Sequence, residues 1–284
     1  YDAWLLFRRF LEADWLIDDF PYFSIIPTST NYARNAIFSG LFPAQIAERH
    51  PDWWLERSEE DASLNKYEAE LMRACLERHG VQPPRRTRYK KARGTSADAN
   101  IAELFRGWRD PTLYALVINF VDVLTHERAY FDVLSEMSDT PQSFRSVAAS
   151  WFAHSELLAG LKELARRDCT VVITTDHGSI QTRRAVIAYC DKRTSKGLRL
   201  WFGQNLRHEG EGALLIDRPG EWRLPAERIG KNYLIALEDY NFVYSYRQHE
   251  QRRYYAGAFQ HGGVSMPEMI IPCAVMHPKA PARK

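Results

Sequence analysis

One apolar run limits the possible folds of this chain more than any other part of the sequence. In residues 113–121 almost every side chain is apolar, as in a parallel strand that is covered on both faces. A long segment with helical periodicity, 144–167, follows it, and a second β-type run comes at 169–175. This alternation of covered strands and helices predicts an α/β domain with a central, mostly parallel sheet.

Both runs end in side chains that bind metal ions. Asp122 follows the first run, with His126 four residues later, and the second run leads into Asp176, His177 and Gly178. Ligands of open α/β sheets bind at the carboxyl ends of the strands, and carboxylates and imidazoles are ligands of zinc. A single Asp and His at this spacing is common by chance, but two such pairs at one sheet edge predict a metal site.

A turn rich in hydroxyl groups precedes another predicted helix. Residues 28–30 are Thr, Ser and Thr, and the helix 31–39 is predicted to end at Gly40. The N-terminus of a helix favours an anion, so Thr30 is a candidate nucleophile. Arg34, one helical turn later, is a candidate for binding the anion that Thr30 attacks. Taken alone, the stretch is more simply a helix cap with a solvated arginine.

Two further histidines lie near predicted elements. His261 stands in a turn just before the apolar run 269–276. Because Gly262 and Gly263 follow it, its backbone can approach a metal ion without crowding. His154, within the long predicted helix, is interpreted as a packing residue, with support of a metal ligand as the lesser alternative.

The composition excludes several classes of protein. The chain has 284 residues, of which 45% are hydrophobic, and a formal net charge of +2, so it can bury a large core and is not a protein that coats nucleic acid. Its four scattered cysteines have neither zinc-knuckle spacing nor the density of a secreted disulfide scaffold. No apolar run reaches the roughly 18 residues of a membrane span. These features predict a soluble, cytoplasmic protein with free thiols.

Basic residues concentrate outside these motifs. They occur in residues 82–94 and again in 191–208, where Arg199 and Trp201 are neighbours in a basic and aromatic stretch. Such a surface suits stacking on nucleotides, although a plain solvated face is the simpler interpretation. Residues in and around these segments, about 52–110 and 190–250, are predicted to be insertions that cap the site.

The chain resembles the alkaline phosphatase superfamily in an ordered set of motifs: Thr30 in PTSTNYARNAIFSG, Asp122 with His126, Asp176-His177-Gly178, and His261-Gly262-Gly263. Within that superfamily it resembles the PglZ domain, most closely the version attached to response regulators of the PorX type. The resemblance extends over the whole chain and includes the segments NFVDVLTHER, WFAHS and HGGVSMPEMIIP. It implies one domain, 1–284, with a three-layer α/β sandwich, a threonine nucleophile for phosphoryl transfer and two zinc ions.

The resemblance also implies which residues hold the two zinc ions. The ligands of one would be Asp122, His126 and His261, and those of the other would be Asp176, His177 and Thr30. The family's second zinc takes a further Asp, which lies a few residues before a motif whose tail resembles Tyr1-Asp2-Ala3-Trp4. We therefore expect this ligand, and a receiver domain, upstream of Tyr1, and we interpret Asp2 as the cap of a first helix.

The expected activity is zinc-dependent phosphoester hydrolysis, because a bound zinc ion lowers the pKa of a coordinated hydroxyl. A phosphodiester is the expected substrate, since a monoester carries more negative charge and Arg34 is the only cation identified beside Thr30. The resemblance points to oligonucleotide or cyclic-nucleotide diesters and to dimerisation of the full-length protein.

Two alternatives stay open. In the first, the domain is a signalling or scaffold module with a structural or vestigial metal site, which passes the phosphorylation state of a receiver domain to a partner. In the second, it is related to phosphomutases or sulfatases. An unmodified Thr30 argues against a sulfatase, which would carry a modifiable Cys or Ser there.

Overall fold

The computed structural model describes residues 1–56, 64–81, 87–92, 113–119, 140–191, 194–226, 230–245 and 248–279. The chain forms two compact units. The first contains Tyr1–Tyr22, Pro83–Thr174 and Pro272–Lys284, and the second contains Phe23–Gln82 and Thr175–Ile271. Among the helices of the described residues, none has the length and apolar character needed to cross a membrane.

Helices and strands occur in both units. The helices are α1 (Asp2–Phe7), α2 (Thr30–Ser39), α3 (Pro43–Arg49), α4 (Glu68–Arg78), α5 (Pro141–His154), α6 (Glu156–Leu164), α7 (Gln248–Tyr255) and α8 (Met266–Met269), with 3₁₀ turns at Arg8–Phe10 and Pro219–Trp222. The strands are β1 (Trp15–Phe23), β2 (Thr87–Ala92), β3 (Leu113–Ile118), β4 (Val171–Thr174), β5 (Ile180–Gln181), β6 (Arg184–Tyr189), β7 (Ser195–Lys196), β8 (Leu200–Gly203), β9 (Arg207–His208), β10 (Ala213–Ile216), β11 (Asn232–Ala236), β12 (Tyr240–Tyr244), β13 (Phe259–Gln260) and β14 (Ile270–Pro278). The predicted α/β class is therefore confirmed.

The first unit packs helices against a sheet of order β1-β14-β4, in which β14 and β4 are antiparallel. A second, parallel pair joins β2 to β3. Trp4, Phe152, Leu161 and Met276 belong to one buried cluster between these elements. Apolar residues from α1, α5 and α6 thus cover one face of the sheet, and their burial is the main stabilising term in this unit.

Within the part of the second unit that the structure describes, the strands form three sheets. Their orders are β10-β11-β8-β7, β12-β6-β9 and β13-β5. The strands of the first of these sheets pair antiparallel throughout, whereas β6 and β12 are parallel. A buried cluster that includes Tyr32, Leu71, Phe202 and Tyr233 joins α2 and α4 to the first sheet. This cluster holds α2, whose first residue is Thr30, in a fixed position.

Several predicted boundaries differ from the observed ones. The predicted helix 144–167 is two helices, because the Ser155 hydroxyl accepts a hydrogen bond from the Leu158 N–H and caps α6. Asp2, interpreted as the cap of the first helix, is instead the first residue of α1, and Tyr1 occupies the N-cap position. The predicted caps at about 52–110 and 190–250 stay a prediction.

Candidate active site

Three hydroxyl groups meet at the turn before α2, and their surroundings differ. Thr28 is fully buried, and its Oγ1 accepts a hydrogen bond from the Gly262 N–H at 2.9 Å. The Ser29 hydroxyl donates to Oδ1 of Asn31 at 2.8 Å. Thr30 Oγ1 lies 3.0 Å from Nε2 of His177. Thr30 is therefore the hydroxyl that faces the predicted site residues.

Helix α2 holds Thr30 firmly because its other side is anchored in the core. Tyr32 is fully buried and packs edge-on against Trp54, with ring centroids 5.2 Å apart. Burial, followed by the proximity of Tyr233 and Glu56, raises the pKa of Tyr32 well above its ordinary value, so this ring stays neutral. The helix ends at Gly40, whose φ of 62° is left-handed, as the sequence predicts.

The hydrogen bonds of His177 define its tautomer. Nδ1 lies 2.9 Å from the carbonyl oxygen of Gly178. A carbonyl only accepts hydrogen bonds, so Nδ1 carries the hydrogen and Nε2 carries a lone pair. Nε2 can then accept the hydroxyl hydrogen of Thr30. The Thr30 hydroxyl, the His177 ring and the Gly178 carbonyl therefore form a chain of hydrogen bonds. They correspond to a candidate nucleophile, a base and a group that orients the base.

Asp176 contributes an unusual carboxylate beside this pair. Its Oδ2 is buried without a hydrogen-bond partner among the described residues, and lies 3.6 Å from Nε2 of His177. A buried carboxylate oxygen without a partner is costly unless a proton or a cation neutralises it. Oδ2 of Asp176, Nε2 of His177 and Oγ1 of Thr30 are donor atoms of the types that zinc binds. The chemistry of this set therefore fits a metal ion.

His261 lies against the same group. Its ring stacks on that of His177, with centroids 3.7 Å apart and planes 8° from parallel. Its Nδ1 lies 3.0 Å from the carbonyl oxygen of Thr28, so Nδ1 carries the hydrogen and Nε2 the lone pair. The following glycine, Gly262, has a φ of 104°, which L residues rarely adopt. The turn therefore presents an imidazole nitrogen of metal-binding type.

Asp122 and His126, the other two predicted ligands, lie outside the described residues. Over the described ranges, no group of three or more His, Cys, Asp or Glu side chains is placed to hold a metal ion. The other four predicted ligands, Thr30, Asp176, His177 and His261, belong to the second unit. The predicted ligand sets stay predictions.

Arg34 makes a contact that the sequence did not indicate. Its Nε donates to the carboxylate of Glu68, and the two side chains are 10% and 0% exposed. Nearby, the Asn65 amide donates to the carbonyl oxygen of Thr30 at 3.3 Å. Helix α4 and the turn before it therefore support both the backbone of Thr30 and the charge of Arg34.

The sequence also did not predict an ion pair near the site, between Arg199 and Glu268. Arg199, interpreted from the sequence as part of a basic surface, is fully buried and forms an ion pair with the fully buried Glu268. The neighbouring Trp201 is 1% exposed, so neither side chain offers a surface for nucleotide stacking. The sequence signal that could have indicated Glu268 is its position directly before the apolar run 269–276.

Comparison with solved structures finds an enzyme whose fold is similar to that of this chain. A phosphonoacetate hydrolase from Sinorhizobium meliloti 1021 in complex with phosphonoformate is 14% identical, with a TM-score of 0.53, over 96% of this chain and 84% of that one. The same enzyme with phosphonoacetate gives 14% identity and a TM-score of 0.45 over 97% and 87%. Only the first likeness is close enough to support an argument, and at this identity it concerns the fold alone.

The family is shown by a sequence comparison. The family described as "BREX system PglZ alkaline phosphatase-like domain" matches residues 1–276. The chain therefore belongs to the PglZ family. No curated protein sequence matches it.

Proposed function

We propose that this domain is a zinc-dependent phosphohydrolase in which Thr30 is the nucleophile. Membership of an alkaline phosphatase-like family supports phosphoester hydrolysis. The observation that carries the proposal is the 3.0 Å approach of Thr30 Oγ1 to His177 Nε2 beside the unpartnered Oδ2 of Asp176. These three atoms come from two loops that are distant in the sequence and meet at one point.

The residues would hold metal ions in two sets. Thr30, Asp176 and His177 would bind one zinc ion, and His261 would bind a second together with Asp122 and His126. A bound zinc ion would lower the pKa of a coordinated hydroxyl and offset charge on the phosphoryl group. The support for the first set is the donor chemistry and the buried carboxylate oxygen of Asp176.

The chain itself contributes orientation. Thr30 Oγ1 lies 3.0 Å from Nε2 of His177 and can donate its hydrogen to that nitrogen in the metal-free protein. With zinc bound, the Nε2 lone pair would hold the ion instead, and the contact keeps the threonine oxygen within reach of the same ion. Thr30 is also the first residue of α2, where unpaired N–H groups and the helix dipole favour a phosphoryl anion. Attack by the Thr30 oxygen would break the bond between phosphorus and the leaving alcohol, which gains a proton as the threonine hydroxyl loses one. Water would then cleave the phosphothreonine, which restores the hydroxyl and releases a phosphomonoester.

Arg34 is proposed to bind the non-bridging oxygens of the substrate. The carboxylate of Glu68 balances its charge, so the pair adds less positive charge than an isolated arginine. A diester carries about one negative charge, and this site suits it better than a dianionic monoester. We therefore propose a phosphodiester as the substrate. From the resemblance to PorX-type proteins we further propose that the diester is of the nucleotide type and that the domain is the effector domain of a response regulator.

The test is the zinc-dependent hydrolysis of a chromogenic phosphodiester, bis(4-nitrophenyl) phosphate, with 4-nitrophenyl phosphate as the monoester comparison. Thr30→Val removes the hydroxyl at nearly constant volume and should reduce kcat by at least about 10³-fold. Thr30→Ser should retain activity because it keeps the hydroxyl. Zinc content should be measured for each variant, so that loss of metal is separated from loss of the nucleophile.

Each outcome has a distinct meaning. Undiminished turnover by Thr30→Val would exclude Thr30 as the nucleophile. Zinc binding by the unsubstituted protein without turnover of either ester would contradict the enzyme proposal and favour the signalling module. A higher kcat/KM for the monoester would contradict the argument from the Arg34–Glu68 pair.

A further inference from the structure

We propose that Thr28 and Glu268 are positioning residues, which fix the loops of Thr30, His177 and His261 relative to one another. Neither residue is among those assigned to the reaction above. The proposal rests on the proposed function of that site, because its value lies in fixing the groups that would act there. It is carried by one buried hydrogen-bond network within the second unit.

Glu268 contacts all three loops, and the buried side chain of Arg199, through its side chain and its backbone. Its Oε2 accepts hydrogen bonds from Thr28 Oγ1 at 2.9 Å and from the Gly263 N–H at 3.1 Å. Its Oε1 accepts from Nη2 of Arg199 at 2.6 Å. Its backbone oxygen accepts from the Gly178 N–H at 2.8 Å. One fully buried residue therefore binds the turn before Thr30 and the segments that follow His177 and His261.

Thr28 completes the network on the side of His261. Its carbonyl oxygen lies 3.0 Å from Nδ1 of His261, and its hydroxyl accepts from the Gly262 N–H. The hydroxyl has a single hydrogen and two acceptors in range, the carboxylate of Glu268 at 2.9 Å and the carbonyl oxygen of Gly263 at 3.0 Å. The charged carboxylate should attract the hydrogen more strongly than the neutral carbonyl does. The hydroxyl therefore holds the turn that carries His261, while the carbonyl sets the tautomer of its ring.

The network requires a carboxylate at position 268. Both oxygens of Glu268 accept hydrogen bonds, whereas a glutamine would turn an N–H₂ group toward either Arg199 or the Gly263 N–H. Two donors would then face each other in a buried site. The carboxylate also balances the buried guanidinium of Arg199, whose other contacts are the backbone oxygens of Ala236, Glu238 and Tyr240.

Glycines allow the loops to approach this closely. A Cβ atom at Gly178 would lie 2.2 Å from the backbone oxygen of Pro267, the residue before Glu268. A Cβ atom at Gly263 would lie 2.4 Å from the backbone oxygen of Ala236. Neither backbone atom can move aside as a flexible side chain could. The glycines after His177 and His261 thus serve the same network.

The test compares Thr28→Val, which removes the hydroxyl, with Thr28→Ser, which keeps it. The first readout is the ¹⁵N NMR signal of the His261 ring in the metal-free protein, assigned with His261→Gln. The unsubstituted protein and Thr28→Ser should show the Nδ1–H tautomer. Thr28→Val should show a mixture, because without the hydroxyl the turn at Gly262 no longer holds the His261 ring against the Thr28 carbonyl oxygen. Ser29→Ala is the matched control in the same turn and should leave the signal unchanged.

The second readout is kinetic. Thr28→Val should lower kcat for the phosphodiester about 10- to 100-fold, with a smaller change in KM, because misplaced reacting groups affect the transition state most. Thr28→Ser should restore kcat. Glu268→Gln should show the same NMR change. If that single variant does not fold, Arg199→Met/Glu268→Gln removes both buried charges and takes its place.

The outcomes separate this proposal from the proposed function. An unchanged His261 signal in Thr28→Val, or a fall in kcat that Thr28→Ser does not restore, would overturn the positioning role even in an active enzyme. A changed signal in a protein that hydrolyses no phosphoester would support the positioning of His261 and contradict the enzymatic function.

Discussion

Thr30 Oγ1 and His177 Nε2 lie 3.0 Å apart although the two residues are 147 positions apart in the sequence. The contact joins the first residue of α2 to the loop that follows β4. It makes the threonine hydroxyl a hydrogen-bond donor to a histidine of defined tautomer.

Asp176→Asn should weaken zinc binding at least about tenfold, because it removes a carboxylate of the proposed ligand set. In the metal-free protein the same change should raise the free energy of unfolding by up to about 1 kcal/mol, since the unpartnered buried charge is lost. Calorimetric zinc titration and urea unfolding measure the two effects. Asp217→Asn, at an exposed position, is the control, and an equal response in both variants would contradict the prediction.

Substituting His261 should also reduce zinc content. His261→Gln keeps a polar side chain of similar size but lacks the imidazole nitrogen that the proposed second site requires. Metal analysis after dialysis should show a lower ratio of zinc to protein than in the unsubstituted chain. An unchanged ratio would exclude His261 as a ligand.

Glu68→Leu should destabilise the protein by roughly 3–5 kcal/mol, because it leaves the buried guanidinium of Arg34 without its carboxylate. The double variant Arg34→Met/Glu68→Leu should recover much of that loss, since both charges are then absent. Urea unfolding of the two variants gives the comparison. Equal stability of the single and the double variant would show that the pair is not coupled.

Gly263→Ala should destabilise the fold by roughly 1–3 kcal/mol. The new Cβ would meet the Ala236 oxygen at 2.4 Å and Nη2 of Arg199 at 2.5 Å. Gly220→Ala is the matched control, because no atom of the described residues lies within 4 Å of its Cβ position. Thermal unfolding should show the control at or slightly above the stability of the unsubstituted chain. A comparable loss in both variants would refute the crowding argument.

The pKa of His50 should lie below the ordinary value of a histidine side chain. Burial, with smaller effects from Arg78 and Arg49, lowers the pKa of this ring, which stacks on Trp53 with centroids 4.5 Å apart. The unfolded chain then binds more protons between the two pKa values, so this contribution to stability is lost as the pH falls below about 6.5. NMR titration should show the lowered midpoint. Arg49→Gln should raise it, and an unmoved midpoint would exclude that charge as a cause.

Local patterns predicted those features that depend on a few neighbouring residues. The end of α2 at Gly40 follows from the left-handed backbone that glycine adopts easily. The α/β class follows from the spacing of apolar runs and helices, and the ordered motifs identified the alkaline phosphatase-like family. The roles of Asp122 and His126, and the two zinc ions, stay predictions.

The tertiary structure decided which side chains meet. The sequence favours Thr30 as the nucleophile because it lies at the start of a predicted helix, but only the fold brings its hydroxyl to His177 and buries Thr28 against Glu268. Periodicity likewise cannot distinguish a buried Arg199 from a solvated one. The physical reason is that a buried charge or hydroxyl is defined by its partner, and these partners lie 69 and 240 positions away. The sequence alone therefore determined the fold class and the family, and the long-range contacts determined the candidate site.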